Sequence, residues 1–246
     1  MKMTVDSVAL VTGAGSGINR EVARVLAHDM PVAVCDLNLA GAEETVRLIE
    51  AEGGRAGAWQ LDVVDGARIR AVVAEVAGRF GPVDTLVNGA GFGQFVPFLD
   101  MTEEHWDRMM DVNAKGTFLC TQAVLPAMKE KGYGRIVCFS SVGAMSGSPS
   151  HSHYAAAKAA VIGLTKALCK EIGPWGVTIN CVAPGAVDTP FLAAVSKEAL
   201  DRYKASTPVG RMAEPADIAH VVRFLVSPDS GFITGWVISP NGGVYT

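Results

Sequence analysis

The 246-residue sequence predicts an α/β fold with a parallel sheet, and three observations carry that reading. Short apolar runs alternate with stretches of helical periodicity along the chain, the pattern of strands joined by helical crossovers. The first run, Val8 to Val11, is continuously apolar, as a strand buried on both faces must be. It ends in the glycine-rich turn Thr12-Gly13-Ala14-Gly15-Ser16-Gly17-Ile18-Asn19, which opens the first helix. Right-handed crossovers would gather ligand-binding loops beyond the C-terminal ends of the strands. No repeat, low-complexity tract or linker interrupts the pattern, so residues 1–246 are expected to form one domain.

Glycine in that first turn lets the backbone bend sharply and approach a ligand, while the helix N-terminus offers N–H groups to a phosphate; ordinary tight turns use glycine too. Val22, Ala23, Val25 and Leu26 continue at helical spacing. The second strand, Val32 to Cys35, ends in Asp36. An acidic side chain there can accept hydrogen bonds from both adenosine ribose hydroxyls and would repel a 2′-phosphate, although capping the helix that begins near Leu39 is an alternative role. Ala56 to Leu61 forms a third strand ending in Asp62-Val63, followed by an amphipathic helix over Ala67 to Phe80. The fourth strand, Val83 to Val87, runs into Asn88-Gly89-Ala90-Gly91.

Thr102 is expected to cap a helix that passes through Trp106, Met109, Met110 and Val112 to Asn113 and on to Lys131. Asn113, polar among Val112, Ala114, Phe118 and Leu119, is either a satisfied core amide or a functional kink. The fifth strand, Arg135 to Ser140, delivers Ser141, and a loop rich in Gly, Ser and His leads to a helix beginning near His153. Small residues there (Ala156, Ala157, Ala159, Ala160, Gly163) permit close packing, either within the chain or with another subunit. Thr178 to Val182 and Trp236 to Ser239 are the sixth and seventh strands. Between them come Pro184-Gly185, a substrate lid at about 188–210, and a helix starting near Glu214-Pro215.

Composition narrows the partners. With 19% charged residues, a formal net charge of -4 and a pI near 5.7, the chain has no basic field for nucleic acid. It contains no uninterrupted apolar run long enough for a bilayer, and its start lacks a signal-peptide pattern, so a soluble cytoplasmic protein without a membrane partner is expected. Cys35, Cys120, Cys138, Cys169 and Cys181 are scattered without metal-ligand spacing; free thiols and no metal site are expected.

Tyr154 and Lys158, four residues apart, share a face of their helix. An ammonium near a phenol favours the phenolate, so the sequence predicts that Lys158 lowers the pKa of Tyr154 and makes it a general acid and base near neutrality. Ser141 would offer its hydroxyl to the same substrate oxygen.

Together these stretches resemble the short-chain dehydrogenase/reductase family over essentially the whole chain. The resemblance rests on Thr12-Gly13-x-x-x-Gly17, Asp62, Asn88-x-Ala90-Gly91, Asn113, Ser141, Tyr154-x-x-x-Lys158, and Pro184-Gly185 with Thr189. It implies a Rossmann-like, doubly wound sheet of about seven parallel strands and hydride transfer between a nicotinamide and a carbonyl or secondary alcohol. By the same resemblance Tyr154 is the general acid/base, Lys158 also holds the nicotinamide ribose, Ser141 fixes the substrate oxygen, and Asn113 anchors a water that links Lys158 to solvent. The cofactor site would comprise Gly13, Ser16, Gly17, Ile18, Asp36, Leu37, Asp62, Val63, Asn88, Ala90, Gly91, Tyr154, Lys158, Pro184, Gly185, Val187 and Thr189.

Two positions depart from the family pattern. Asn19 replaces a third glycine, so it must point away or add a polar contact, and Gly89 replaces a second asparagine, for which a minor effect is expected. Members that use NADP carry a basic residue in the glycine turn or after the second strand; Ser16 and Leu37 stand there, so NAD is the expected cofactor. The pocket walls would include Gln94, Phe95, Val142, Ser148, His153 and Phe191, with His153 either touching substrate or solvated in its loop. A medium-sized apolar, cyclic or aromatic secondary alcohol or ketone is the expected substrate. A 3-oxoacyl thioester is the alternative, suggested by the closing Asn241-Gly242-Gly243-Val244-Tyr245 but ranked lower because Gly132 and Trp175 stand where the carrier-protein reductases place arginines. A non-catalytic nucleotide-binding protein is a third reading. The family further implies a homotetramer formed through the helices near Glu103 and Tyr154.

Overall fold

The computed structural model describes residues 7–192 and 195–246. Seven parallel strands run in the order β3-β2-β1-β4-β5-β6-β7: β1 Ala9–Thr12, β2 Val32–Asp36, β3 Ala56–Gln60, β4 Thr85–Asn88, β5 Gly134–Phe139, β6 Val177–Val182 and β7 Val237–Ile238. Each expected strand is present, its ends moved by one or a few residues. Helices α1 Gly17–Ala27, α2 Leu39–Ala51, α3 Gly66–Phe80, α4 Glu103–Met110, α5 Gly116–Lys131, α6 Gly143–Ser146, α7 Ser152–Ile172, α8 Lys197–Ser206 and α9 Pro215–Val226 make the connections.

Strand periodicity divides the core. Along β1, Ala9 and Val11 face one layer with Val22 and Leu26 of α1 and Ile218 and Val222 of α9. Leu10 faces the other with Val72 of α3, Val124 of α5 and Val161 of α7. Successive side chains of a strand point to opposite faces, so one apolar run serves two layers of helices. This is the doubly wound, Rossmann-like arrangement. The order reverses at β1, which pairs with both β2 and β4, and a crevice opens above their C-terminal ends.

The long helix expected from Thr102 to Lys131 is present, with a π-helical turn inside it. Thr102 caps α4 through a bond from His105 N–H, and the π-helical turn, Asp111–Lys115, joins α4 to α5 and contains Asn113. Such a turn inserts an extra residue into the helical ladder and redirects the side chains around it. Asn113 therefore sits in the π turn, fully buried. The region expected as a lid holds a short helical turn, Pro190–Leu192, and α8; residues 193–194 and the Phe191 side chain lie outside the described residues. Among the described residues no helix is long and apolar enough to cross a membrane and no group of side chains is arranged to hold a metal ion. All five cysteines are free, with Cys169 half-buried and the other four buried.

Candidate active site

A cleft of about 1050 Å³ lies above β1 and β4. Its floor depends on glycine at two positions. Gly13, at φ +68°, passes so near the β4 loop that a Cβ would stand 2.8 Å from Ala90 Cα, and a Cβ on Gly91 would stand 2.5 Å from Asn113 Oδ1. Substitution at either would fill the cradle. Thr12 supports this floor from beneath, its Oγ1 accepting from Gly89 N–H and Ala90 N–H, each at 3.1 Å. Ser16 begins α1 without a side-chain cap, leaving first-turn N–H groups for an anion. Gly13, Ser16, Gly17, Ile18, Asp36, Leu37, Asp62, Val63, Ala90, Gly91, Tyr154, Lys158, Pro184, Gly185, Val187 and Thr189 all line the cleft. The residues present thus fit a nicotinamide dinucleotide.

Asp36 sits at the C-terminal end of β2. Its Oδ2 accepts from Gly15 N–H and its Oδ1 from Asn38 N–H, both at 2.8 Å; the helix cap is instead Asn38, which accepts from Gly41 N–H. The carboxylate is thereby aimed by two backbone donors at the rim of the cleft. Arg20 is drawn into the same turn, where it bonds Gly15 O, Gly41 O at 3.5 Å and Thr45 Oγ1 at 3.0 Å. Thr45, fully buried, donates to Ala14 O at 2.8 Å. Nothing in the spacing of Thr45 or Arg20 points to this bracing; only the packing of α2 on the turn shows it.

Asn88 departs from its expected place. It does not line the cleft; its Nδ2 donates to Thr121 Oγ1 at 2.9 Å and Cys138 Sγ at 3.4 Å, fastening β4 to α5 and β5. At the last residue of a buried strand its side chain falls on the α5 layer, so it shapes the loop without facing a ligand.

Ser141, Tyr154 and Lys158 converge on the cleft. Ser141 Oγ accepts from Gly143 N–H at 3.1 Å, which fixes it at the start of α6. Lys158 Nζ donates to Phe139 O at 3.0 Å and lies 5.8 Å from the centroid of the Tyr154 ring. Burial pushes the Lys158 ammonium down to about 8. Tyr154 is corrected in direction: burial pushes the phenol up, and the hydrogen bond with Ser141 only partly opposes it. Desolvation disfavours the charged phenolate, and the Lys158 ammonium bonds the Phe139 carbonyl. Asn113 Nδ2 donates to Phe92 O at 3.1 Å and Met109 O at 3.2 Å, while its buried Oδ1 has no partner and stands close against Gly91, as does Lys158 Nζ.

The expected substrate walls are placed differently. Gln94, Phe95, Val142, Ser148 and His153 do not line the cleft. Phe95 is over half exposed and stacks on His151, ring centroids 4.1 Å apart, and His151 stacks in turn on Tyr154 at 4.7 Å. His153 is neither a substrate contact nor solvated: it is fully buried in the first turn of α7 with both ring nitrogens unpartnered. The helix starts at Ser152, within one residue of the expected His153, and the His153 ring in its first turn is buried. On this side the cleft is lined by Phe92, Glu103, Glu104, Asp107, Arg108 and Asp111, and across it by Pro190 and Leu192. His151, which the sequence offers with Ser148 and His153 as a polar option on the pocket wall, reaches the site through its stacking on Tyr154.

Comparison with known proteins agrees with this geometry. Residues 13–245 match the family model described as Enoyl-(Acyl carrier protein) reductase. The chain belongs to the short-chain dehydrogenase/reductase family. It is 41% identical over 250 residues to (3R)-3-hydroxyacyl-CoA dehydrogenase of Mus musculus, covering 98% of this chain and 96% of that one. It is 40% identical to 3-oxoacyl-(acyl-carrier-protein) reductase of Staphylococcus aureus, with 100% of each covered. A crystal structure of a 3-oxoacyl-(acyl-carrier protein) reductase from Brucella melitensis superposes with a TM-score of 0.92 at 35% identity, covering 100% of this chain and 97% of that one. These relatives favour the thioester alternative over the simple secondary alcohol that the sequence ranked first.

Proposed function

We propose that this oxidoreductase interconverts a 3-oxoacyl thioester and its 3-hydroxyacyl counterpart, with NAD as the preferred dinucleotide. The observation that carries the reaction type is the convergence of Ser141, Tyr154 and Lys158 on a cleft floored by Gly13 and Gly91; the names of the relatives support the substrate class. When bound, the nicotinamide supplies or accepts the hydride. Tyr154 gives its phenolic proton to the carbonyl oxygen in reduction and takes one from the alcohol in oxidation. Ser141 donates to the same oxygen and holds it beside the phenol. A phenol pushed up and an ammonium pushed down to about 8 invert the order of free tyrosine and lysine, so the proton is held more tightly by Tyr154 and its return there from the Lys158 side is favoured. Asn113 keeps its unpartnered Oδ1 beside that ammonium.

NAD is favoured by the Asp36 carboxylate, fixed by Gly15 and Asn38 where a 2′-phosphate would meet it, and by Leu37, which is exposed and neutral. Arg20, the cation nearest in sequence to the turn, is committed to Gly15, Gly41 and Thr45. The missing arginines at positions 132 and 175 weigh less than the sequence suggested, because Lys129 places its ammonium 4.5 Å from the Trp175 ring centroid. A second reading, a free ketone or secondary alcohol, is favoured by the four carboxylates of Glu103, Glu104, Asp107 and Asp111 on the cleft, which would repel the phosphates of a thioester carrier. The segment at about 188–210 is proposed to close over substrate, and a homotetramer is proposed through α4, α5 and α7, supported by exposed Trp106 and Phe118.

The test is the rate of NADH oxidation with acetoacetyl-CoA against cyclohexanone, repeated with NADPH. A kcat/KM at least about 100-fold higher for the thioester supports the first reading. A ratio below one moves the assignment to free ketones, and equal rates with NADPH would overturn the role given to Asp36.

A further inference from the structure

Asn19 and Gly89, the two departures from the family pattern, form one unit in space. Asn19 Nδ2 donates to Gly89 O at 2.8 Å, and a Cβ built on Gly89 would overlap the Oδ1, Cγ and Nδ2 atoms of Asn19. A side chain at 89 therefore requires Asn19 to leave its present position and give up its bond to Gly89 O. Because Gly89 O is an acceptor, the amide must present its nitrogen there, which leaves Oδ1 buried and without a partner. The N–H of Gly89 is held from the opposite side by Thr12 Oγ1. Residue 89 is thus clamped through both of its backbone groups, and both 19 and 89 line the dinucleotide cleft.

We infer that Asn19 is a positioning residue for the dinucleotide, an amide moved from the β4 loop to the glycine turn. In the family pattern a glycine at 19 leaves room for an asparagine at 89; here the amide projects from 19 into the space that the glycine at 89 leaves open. The exchange keeps one amide between the two walls of the cleft and reverses the wall that carries it. Its effect is to tie the turn at Gly13 to Ile18 to the loop at Asn88 to Gly91, so that the two surfaces enclosing the cofactor keep a fixed separation. Gly89 is then a required glycine, although the sequence alone gave it a minor effect. This inference rests on the dinucleotide reading of the cleft.

Four proteins test it: the wild type, Asn19→Gly, Gly89→Asn and the double variant, each measured for Tm without ligand and for NAD affinity by calorimetry. Asn19→Gly is expected to weaken NAD binding about tenfold, with the KM for NAD rising more than kcat falls. Gly89→Asn should lower Tm and weaken NAD by at least as much, and the reversed pair should return both to within about threefold of the wild type. Should Gly89→Asn fail to fold, Gly89→Ala in the wild-type and Asn19→Gly backgrounds carries the same cycle. Single effects that simply multiply in the double variant would overturn the coupling, and a Tm that couples while NAD affinity stays constant would reduce the pair to structure and overturn the positioning role. A wild type that binds neither NAD nor NADP overturns the dinucleotide reading and this inference with it; one that binds, without coupling, overturns the inference alone.

Discussion

On the β1 to β4 side of the cleft, most polar loop groups find partners in neighbouring elements, the Oδ1 atoms of Asn19 and Asn88 being the exceptions. Asp36 holds the glycine turn, Thr12 holds the β4 loop, and Thr45 and Arg20 brace the glycine turn from behind. On the β5 to β6 side, aromatic rings and unpartnered polar atoms take their place: Phe95, His151 and Tyr154 stack, and the ring nitrogens of His153 and one of His151 are buried without partners. The first side is built to present fixed donors to a ligand of constant shape. The second carries the chemistry and tolerates groups whose protonation and packing are not settled by hydrogen bonds.

The largest effect that separates the two sides is removal of the phenol. Tyr154→Phe deletes the proton donor and leaves the β1 to β4 loops untouched, so kcat should fall by about 10³-fold while the NAD dissociation constant, read by calorimetry, stays within about threefold. An equal loss in both would mean that the sides are not separable.

Next comes the buried ammonium. Lys158, at about 8 in the folded chain against an ordinary 10.5, is charged in both states below pH 8, where the cost of burial is fully present. Between pH 8 and 10.5 the unfolded chain holds more protons than the folded one, so stability rises with pH. The interval corresponds to about 3 kcal/mol. Urea melts of the wild type and Lys158→Met, compared from pH 7 to 10, should show the wild type gaining on the variant; parallel curves would mean that the ammonium is not desolvated.

His153 gives a smaller effect of the same sign on the acid side. Burial pushes its imidazole down from 6.5, so below about pH 6.5 the unfolded chain takes up the extra proton and stability falls with falling pH. His153→Leu removes two unpartnered polar atoms and that proton linkage. At pH 7 it should stabilise the chain or leave it within about 1 kcal/mol, and between pH 6.5 and 5 it should lose less Tm than the wild type. A variant clearly less stable at pH 7 would show that the ring has partners the fold alone does not supply.

The same contrast explains what could be read from the sequence. The strands were legible because each is an apolar run buried on both faces, and local composition suffices to mark it. Gly13, Asp36, Tyr154 and Lys158 were legible because their spacing along the chain translates directly into loop and helix geometry. The raised phenol of Tyr154 was not, since it depends on how deeply the folded chain buries the ring, which the Tyr-Lys spacing does not report. The burial of His153 was not legible either: the helix start near it was, but not which way the first turn of α7 directs the ring. The π turn at Asn113 had only a polar residue in an apolar run to announce it, which fits a satisfied core amide equally well.

The last effect lies deep in the braced side, at Thr45. Its hydroxyl donates to Ala14 O at 2.8 Å and accepts from Arg20 Nε at 3.0 Å, in a fully buried position. Thr45→Val keeps the shape and removes both bonds, leaving a carbonyl and a guanidinium donor short of a partner behind the glycine turn. The expected cost is about 1–3 kcal/mol, which for a chain of this size lowers Tm by about 2–10 °C. NAD affinity should fall only a few-fold, because Asp36 still holds Gly15 from the front. If instead affinity fell as far as in Asn19→Gly, the bracing behind the turn would be positioning the ligand as directly as the residues that line the cleft, and the division between a wall that presents donors and the scaffold that supports it would not hold.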